Sequence, residues 1–128
     1  MIKGITFSSF DLLHAGHIAM LEEAKQQCDH LIVGLQTDPT IDRPEKNKPK
    51  QTVFERFVQL KGCKFVDEII PYETEEDLVN LLCIIKPDVR IIGEEYRGKH
   101  FTGDDLPIKV HYNTRLHNYS SSSLRNKL

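Results

Sequence analysis

Apolar and polar positions along the chain change period several times, and each change marks an element. Residues 2–7, IKGITF, are a short run rich in β-branched and aromatic side chains that stops at the pair Ser8-Ser9, which predicts a first strand. From Gly16 the period becomes helical. Ile18, Leu21, Ala24 and the stem of Lys25 share one face, closed by Cys28, so a helix is expected over 16–28. LIVGLQT, residues 31–37, is a nearly continuous apolar run of strand length, the pattern of a parallel strand covered on both faces.

The periodicity then lapses. DPTIDRPEKNKPKQT, residues 38–52, holds three prolines, three lysines and an arginine, and reads as a long basic loop. Thr52 with Glu55 fits a capping box and Gly62 a stop, so TVFERFVQLKGC is a helix. VDEIIP is a strand, TEEDLVNLLCIIK a helix capped by Thr74, and PDVRIIG a strand entered through Pro87. EEYRGKHFTGDDLP is a loop, IKVHY a last strand, and SSSSLRNKL the start of a final helix under serine caps. Strands alternating with helices in this way predict an α/β fold: a Rossmann-like, doubly wound parallel sheet of about five strands with helices on both faces. No repeat or linker divides the chain, so residues 1–128 are expected to form a single domain.

Composition sharpens this picture by exclusion. Seventeen basic and 19 acidic residues are spread along 128 positions, for a net charge of −2. No whole-molecule field would draw in nucleic acid or an anionic membrane, so anion binding has to be local. Cys28, Cys63 and Cys83 are odd in number and widely spaced, and read as buried reduced thiols of a cytoplasmic protein. No apolar run has the length of a signal peptide core or a membrane span.

Candidate chemistry concentrates in SSFDLLHAGHIAMLEEA, residues 8–24. In an open parallel sheet, ligands bind beyond the carboxyl ends of the strands, and this segment follows the first strand. A helix N-terminus supplies backbone N–H groups and positive potential, suited to phosphate. His14 and His17 lie one turn apart there, and Gly16 lets a ligand approach the backbone. Zinc would need a third ligand and usually a fourth, and the spacing is not that of a zincin helix. The pair therefore reads as a phosphate clamp.

The run TFSSFDLLHAGHIAMLEEAKQQCDHLIVGLQTD resembles the opening of the small bacterial cytidylyltransferases, above all glycerol-3-phosphate cytidylyltransferase, and that of the adenylyltransferase domain of heptose-phosphate enzymes. Both are branches of the HxGH nucleotidyltransferase superfamily. Glu55-Arg56, VDEIIP and KPDVRIIGEEYRGK resemble later family segments, and RLHNYSSSS, residues 115–123, has the spacing of the family's R-T-x-G-I-S-T-T signature. Two departures stand out: Ser8-Ser9 replaces the family's Gly-Thr, and Leu116-His117-Asn118-Tyr119 replaces its Thr-x-Gly-Ile.

The resemblance implies transfer of a nucleotidyl group from a nucleoside triphosphate to a phosphorylated polyol or sugar. CTP with glycerol 3-phosphate is the first expectation. ATP with a heptose or related sugar phosphate is the alternative, and a nucleotide-binding module without turnover the third. By resemblance His14, His17, Lys46 and Arg115 carry the catalysis. Ser8, Ser9, Phe10, Gly16, Gly93, Glu94, Ser120 and Ser121 join His14, His17 and Arg115 around the nucleotide, with Glu95 and Tyr96 beside the base and Arg125 a further phosphate contact. Asp11, Lys46, Lys48 and Arg56 face the acceptor; for Arg56 a helix-surface ion pair with Glu55 or Glu73 is equally open, as is loop ordering for Asp11. Mg²⁺ is expected on the triphosphate through phosphate oxygens and water, with Asp11 the nearest carboxylate. A homodimer is expected from the family alone.

Overall fold

The computed structural model describes residues 1–114. The last predicted helix, with Ser120, Ser121 and Arg125, lies outside the described residues, as do Arg115 and Leu116 before it. Five strands, β1 (Lys3–Ser8), β2 (His30–Gln36), β3 (Glu68–Tyr72), β4 (Val89–Gly93) and β5 (Lys109–Asn113), form one sheet in the order β3-β2-β1-β4-β5. Every pairing is parallel. The helices are α1 (Ala15–Gln26), α2 (Val53–Lys61) and α3 (Glu75–Ile85). The chain winds outward through β2 to β3, returns to the middle, and continues through β4 to β5. The reversal falls between β1 and β4.

Strand alternation sends the apolar side chains to two cores. Leu31, Val33 and Leu35 of β2 and Val89 and Ile91 of β4 pack with Leu21 and Ala24 of α1 and Leu60 of α2. Ile5 of β1 and Ile32 of β2 point the other way, to Leu78 and Leu82 of α3. Helices therefore cover both faces, as the alternation of elements predicts. Burying each such side chain is worth about 1.5–3 kcal/mol, which is why the β2 run has no polar break. Gly34 interrupts it for a steric reason: a Cβ there would lie 2.2 Å from the Phe7 ring.

Acidic residues in the turns leading into β2, β3 and β4 close the amino ends of the sheet. Asp29 accepts from Ile2 N at 2.7 Å, Asp88 from Lys3 N at 2.8 Å, and Asp67 from Leu31 N at 2.8 Å. Burial pushes the Asp67 carboxyl up, but the Leu31 N–H and the Lys25 ammonium outweigh it and leave its pKa lowered. Thr52 and Thr74 cap α2 and α3 in capping boxes with Glu55 and Asp77. Pro71 sits in β3, an edge strand, where its missing N–H costs no ladder bond.

Three expectations need correction. Strand limits differ from the sequence reading by up to two residues, since apolar runs do not locate the terminal ladder bonds. The segment after β4 opens with a one-turn 3₁₀ helix, Glu94–Tyr96, not a loop. Of the cysteines, Cys63 is buried and Cys28 half-buried, but Cys83 is exposed, because the face of α3 that carries Leu78 and Leu82 turns it outward. No helix among the described residues is long and apolar enough to cross a membrane.

Candidate active site

Beyond the carboxyl ends of β1 and β4, at the reversal of strand order, lies a cleft of about 850 Å³. His14, Gly16 and His17 form part of one wall and Lys46 lies at its rim. α1 starts at Ala15, one position earlier than the start read at Gly16, and His14 is its N-cap, so a histidine stands where serine or aspartate usually caps. Its Nδ1 accepts from Gly16 N at 3.0 Å, and the Nδ1 of His17 accepts from His14 N at 3.1 Å. The two imidazoles thus make a reciprocal capping box, the work done elsewhere by serine and glutamate.

That box fixes the chemistry of both rings. A ring nitrogen that accepts from a backbone N–H carries no hydrogen, so each ring keeps its hydrogen on Nε2 and offers it as a donor. The rings lie 4.0 Å apart, and the His17 ring rests at 5.7 Å from that of buried Phe10. Burial, reinforced by His14, presses the His17 pKa from its usual 6.5 down to about 4. The unfolded chain takes up this proton near 6.5 and the folded chain near 4, so His17 favours folding fully above pH 6.5 and loses that contribution as pH falls toward 4. Urea midpoints of the wild type and His17→Asn should lie close together at pH 7 and separate toward pH 4, the wild type falling below the variant because only it carries the titrating ring.

The basic loop is fastened at both ends. At its far end the Asp11 carboxylate accepts from Lys50 N at 2.9 Å and Gln51 N at 3.0 Å. Burial raises the Asp11 pKa, but these two bonds and the nearby Arg56 charge reverse the direction and hold it low. Asp11 therefore orders the loop, and it is not among the residues that line the cleft. Near its start, Asp42 accepts from Glu75 N at 2.5 Å and Arg43 lies 3.5 Å from the Glu75 carboxylate, which docks the loop on the first turn of α3. Lys46 lines the cleft, while Lys48 does not.

Arg56 fits neither of its two expected roles. It is 1% exposed, and its guanidinium donates to the carbonyls of Gln51, Ser9, Gln36 and Thr37 at 2.6–3.2 Å. Carbonyls past the carboxyl ends of parallel strands have no further strand to pair with, and Arg56 gathers them from β1, β2 and the loop at one point. It is a strut beneath the site and pairs with neither Glu55 nor Glu73.

A family model described as cytidylyltransferase-like matches residues 5–127. The chain belongs to that family. It lies within the HxGH nucleotidyltransferase superfamily. Over 129 residues this cytidylyltransferase-like chain is 34% identical to the bifunctional protein HldE of Campylobacter jejuni subsp. jejuni serotype O:6, covering 98% of this chain and 28% of that protein. It is 36% identical over 124 residues to the bifunctional protein HldE of Wolinella succinogenes, covering 96% and 26%. The chain thus spans about a quarter of the length of the curated relatives it matches. Among solved structures, a lipopolysaccharide core biosynthesis protein from Thermoplasma volcanium superposes with a TM-score of 0.71 at 25% identity, covering 89% and 97% of the two chains. Pantothenate synthetase from Thermus thermophilus shares the fold, with a TM-score of 0.62 at 16% identity, covering 88% and 55%.

In the cytidylyltransferase-like chain, the remaining expected residues divide between cleft and core. Ser8, Ser9, Gly93, Glu94, Glu95 and Tyr96 line the cleft. The Ser8 hydroxyl accepts from Phe10 N at 3.4 Å, so the side chain that departs from the family's glycine closes its own turn. Phe10 is a correction: its ring belongs to the core, and it serves the site by carrying His17. Gly93 leaves room for the Glu95 carboxylate, which would meet an added Cβ at 2.4 Å.

Sequence reading missed Arg90. This arginine of β4 lines the cleft and is 6% exposed. A charge within the apolar run VRIIG of a central strand was the available signal. Asn113, at the end of β5, also lines the cleft with a buried Oδ1 that has no partner among the described residues.

Proposed function

We propose that this chain is a nucleotidyltransferase that moves the nucleoside monophosphate of a triphosphate, ATP by preference, onto the phosphate of a heptose or related sugar phosphate. Pyrophosphate is the second product. The observation that carries the reaction class is the pair of Nε2–H donors on His14 and His17 at the start of α1, held by their own capping box. The family match supports the class. Relatives named HldE and the lipopolysaccharide core protein support the sugar-phosphate side of the resemblance over the polyol side. A CTP-dependent transfer to a polyol phosphate such as glycerol 3-phosphate is the second reading, favoured by the family description.

The chemistry suits a site of donors without a general base. A phosphate monoester has its second pKa near ~6, so the attacking oxygen is ionised at neutral pH. That oxygen forms a bond to the α-phosphorus, the bond to the β-phosphate oxygen breaks, and pyrophosphate leaves with the electron pair. What remains for the protein is alignment and neutralisation of charge on the transferring group. His14 and His17 donate to the α- and β-phosphate oxygens, and the positive end of α1 adds to them. Lys46 supplies a cation from the docked loop. Mg²⁺ would ride on the phosphate oxygens and water: no group of three carboxylate, imidazole or thiolate side chains that could hold a metal exists among the described residues.

Pyrophosphate release is the test. ATP and CTP are each offered with heptose 1-phosphate, heptose 7-phosphate and glycerol 3-phosphate. ATP with a heptose phosphate is expected to turn over best. Preference for CTP with glycerol 3-phosphate overturns the substrate assignment, and tight nucleotide binding without release overturns the enzyme.

A further inference from the structure

We propose that Arg90 is the anion anchor of the acceptor subsite, holding a phosphate group on the α3 side of the cleft. The inference rests on the transferase reading above, and it names which wall takes which substrate. The sheet edge divides the cleft in two. His14, Gly16 and His17 stand on the α1 side, where the triphosphate belongs. Val89 and Ile91 pack toward α1, so Arg90 between them faces α3, together with Phe7, Tyr72 and Leu78.

Arg90 is a buried cation in the wall of the cleft. Its guanidinium lies between two aromatic rings, 5.2 Å from the centroid of Phe7 and 5.1 Å from that of Phe101, and its Nη1 donates to the Thr102 carbonyl. Among the described residues no carboxylate comes within ion-pair distance of it. Glu75 and Asp104 act on it only through space. An unpaired buried charge is costly, and ring faces offset only part of that cost. A phosphate in the cleft completes the set, since the planar guanidinium presents paired donors to two oxygens at once.

The alternative anchor is engaged elsewhere, because Arg56 is surrounded by carbonyls beneath the floor. The surroundings of Arg90 also suit a sugar. Glu75 supplies a carboxylate for hydroxyl groups, and Phe7 and Phe101 supply apolar faces for ring C–H groups. An arginine has donors alone and a phosphate presents acceptors alone, so the two groups match.

The test uses the full chain saturated with a non-hydrolysable ATP analogue, so that the triphosphate wall is filled. Inorganic phosphate is then titrated and followed by ³¹P NMR for the wild type, Arg90→Met and Arg90→Lys. Saturable binding by the wild type is expected, weakened about tenfold or more in Arg90→Met and less in Arg90→Lys, which keeps the charge without the fork. The affinity for the analogue should stay within about twofold in both variants, with cooperative melting retained. Phosphate bound equally well by Arg90→Met, or no saturable binding by the wild type, overturns the proposal. Equal loss of analogue binding overturns it too, because Arg90 would then serve the fold. Should wild-type protein release no pyrophosphate with any pair of substrates while the Arg90-dependent binding holds, the transferase reading fails and the phosphate site stands.

Discussion

Replacing His17 by asparagine is expected to lower turnover by about a hundred- to a thousandfold, the usual cost of removing one donor to a transition-state oxyanion. Melting should change little. The asparagine amide sits where Nδ1 of the imidazole sits, so its oxygen can still accept from His14 N and close the capping box, while nothing remains at the position of Nε2. Glutamine is the complementary variant. Its amide reaches the Nε2 position but overshoots the cap, so His17→Gln should keep more activity and lose more stability. His17→Ala removes both functions and should combine both losses. Steady-state pyrophosphate release and calorimetric melting read the two effects separately. A His17→Asn protein that turns over at near-normal rate would remove this donor from the mechanism.

Arg56→Met is expected to cost about 3–4 kcal/mol of stability, through carbonyl oxygens left buried without a donor. For a chain of this size that corresponds to a fall of roughly 10–15 °C in melting temperature. Arg56→Lys should recover part of the loss, because an ammonium reaches fewer of the carbonyls and lacks the planar fork. The prediction separates the strut from a substrate ligand. An acceptor ligand at this position would raise the acceptor KM and leave melting unchanged, whereas the strut lowers melting first and affects both substrates together. Loss of acceptor affinity in a protein of unaltered stability would refute the structural role.

The two variants mark two levels at which the site can be read. His14 and His17 were visible in the sequence because helix spacing and strand order are local or nearly local: a strand end, a short turn, then two imidazoles one turn apart. Their tautomers were not visible. Only the observed box, with each Nδ1 facing a backbone N–H, assigns the hydrogen to Nε2. Phe10, read beside the nucleotide, turned inward because its backbone takes a positive φ of 49° and the ring follows the turn into the core.

Asp11 and Arg56 show the same limit from the other side. Each was a charged residue close to the motif and so a candidate for substrate or metal. Each instead satisfies backbone groups 19–47 positions away in the chain, partners that no spacing rule reveals. Arg90 is the converse case. In sequence it was one charge inside a buried strand, and folding places it between Phe7 and Phe101 across an open cleft.

By itself, then, the sequence determined the α/β alternation, the parallel sheet, the capping residues of α2 and α3, and a histidine pair at a helix start after the first strand. Hydrophobic period, turn chemistry and helix-end electrostatics act within a few residues of one another and can be read along the chain. The tertiary structure decided which charged residues face the cleft and which hold up its floor. That choice depends on long-range partners: a buried charge goes wherever distant carbonyls, ring faces or a ligand can offset its desolvation, and only the folded chain brings those together.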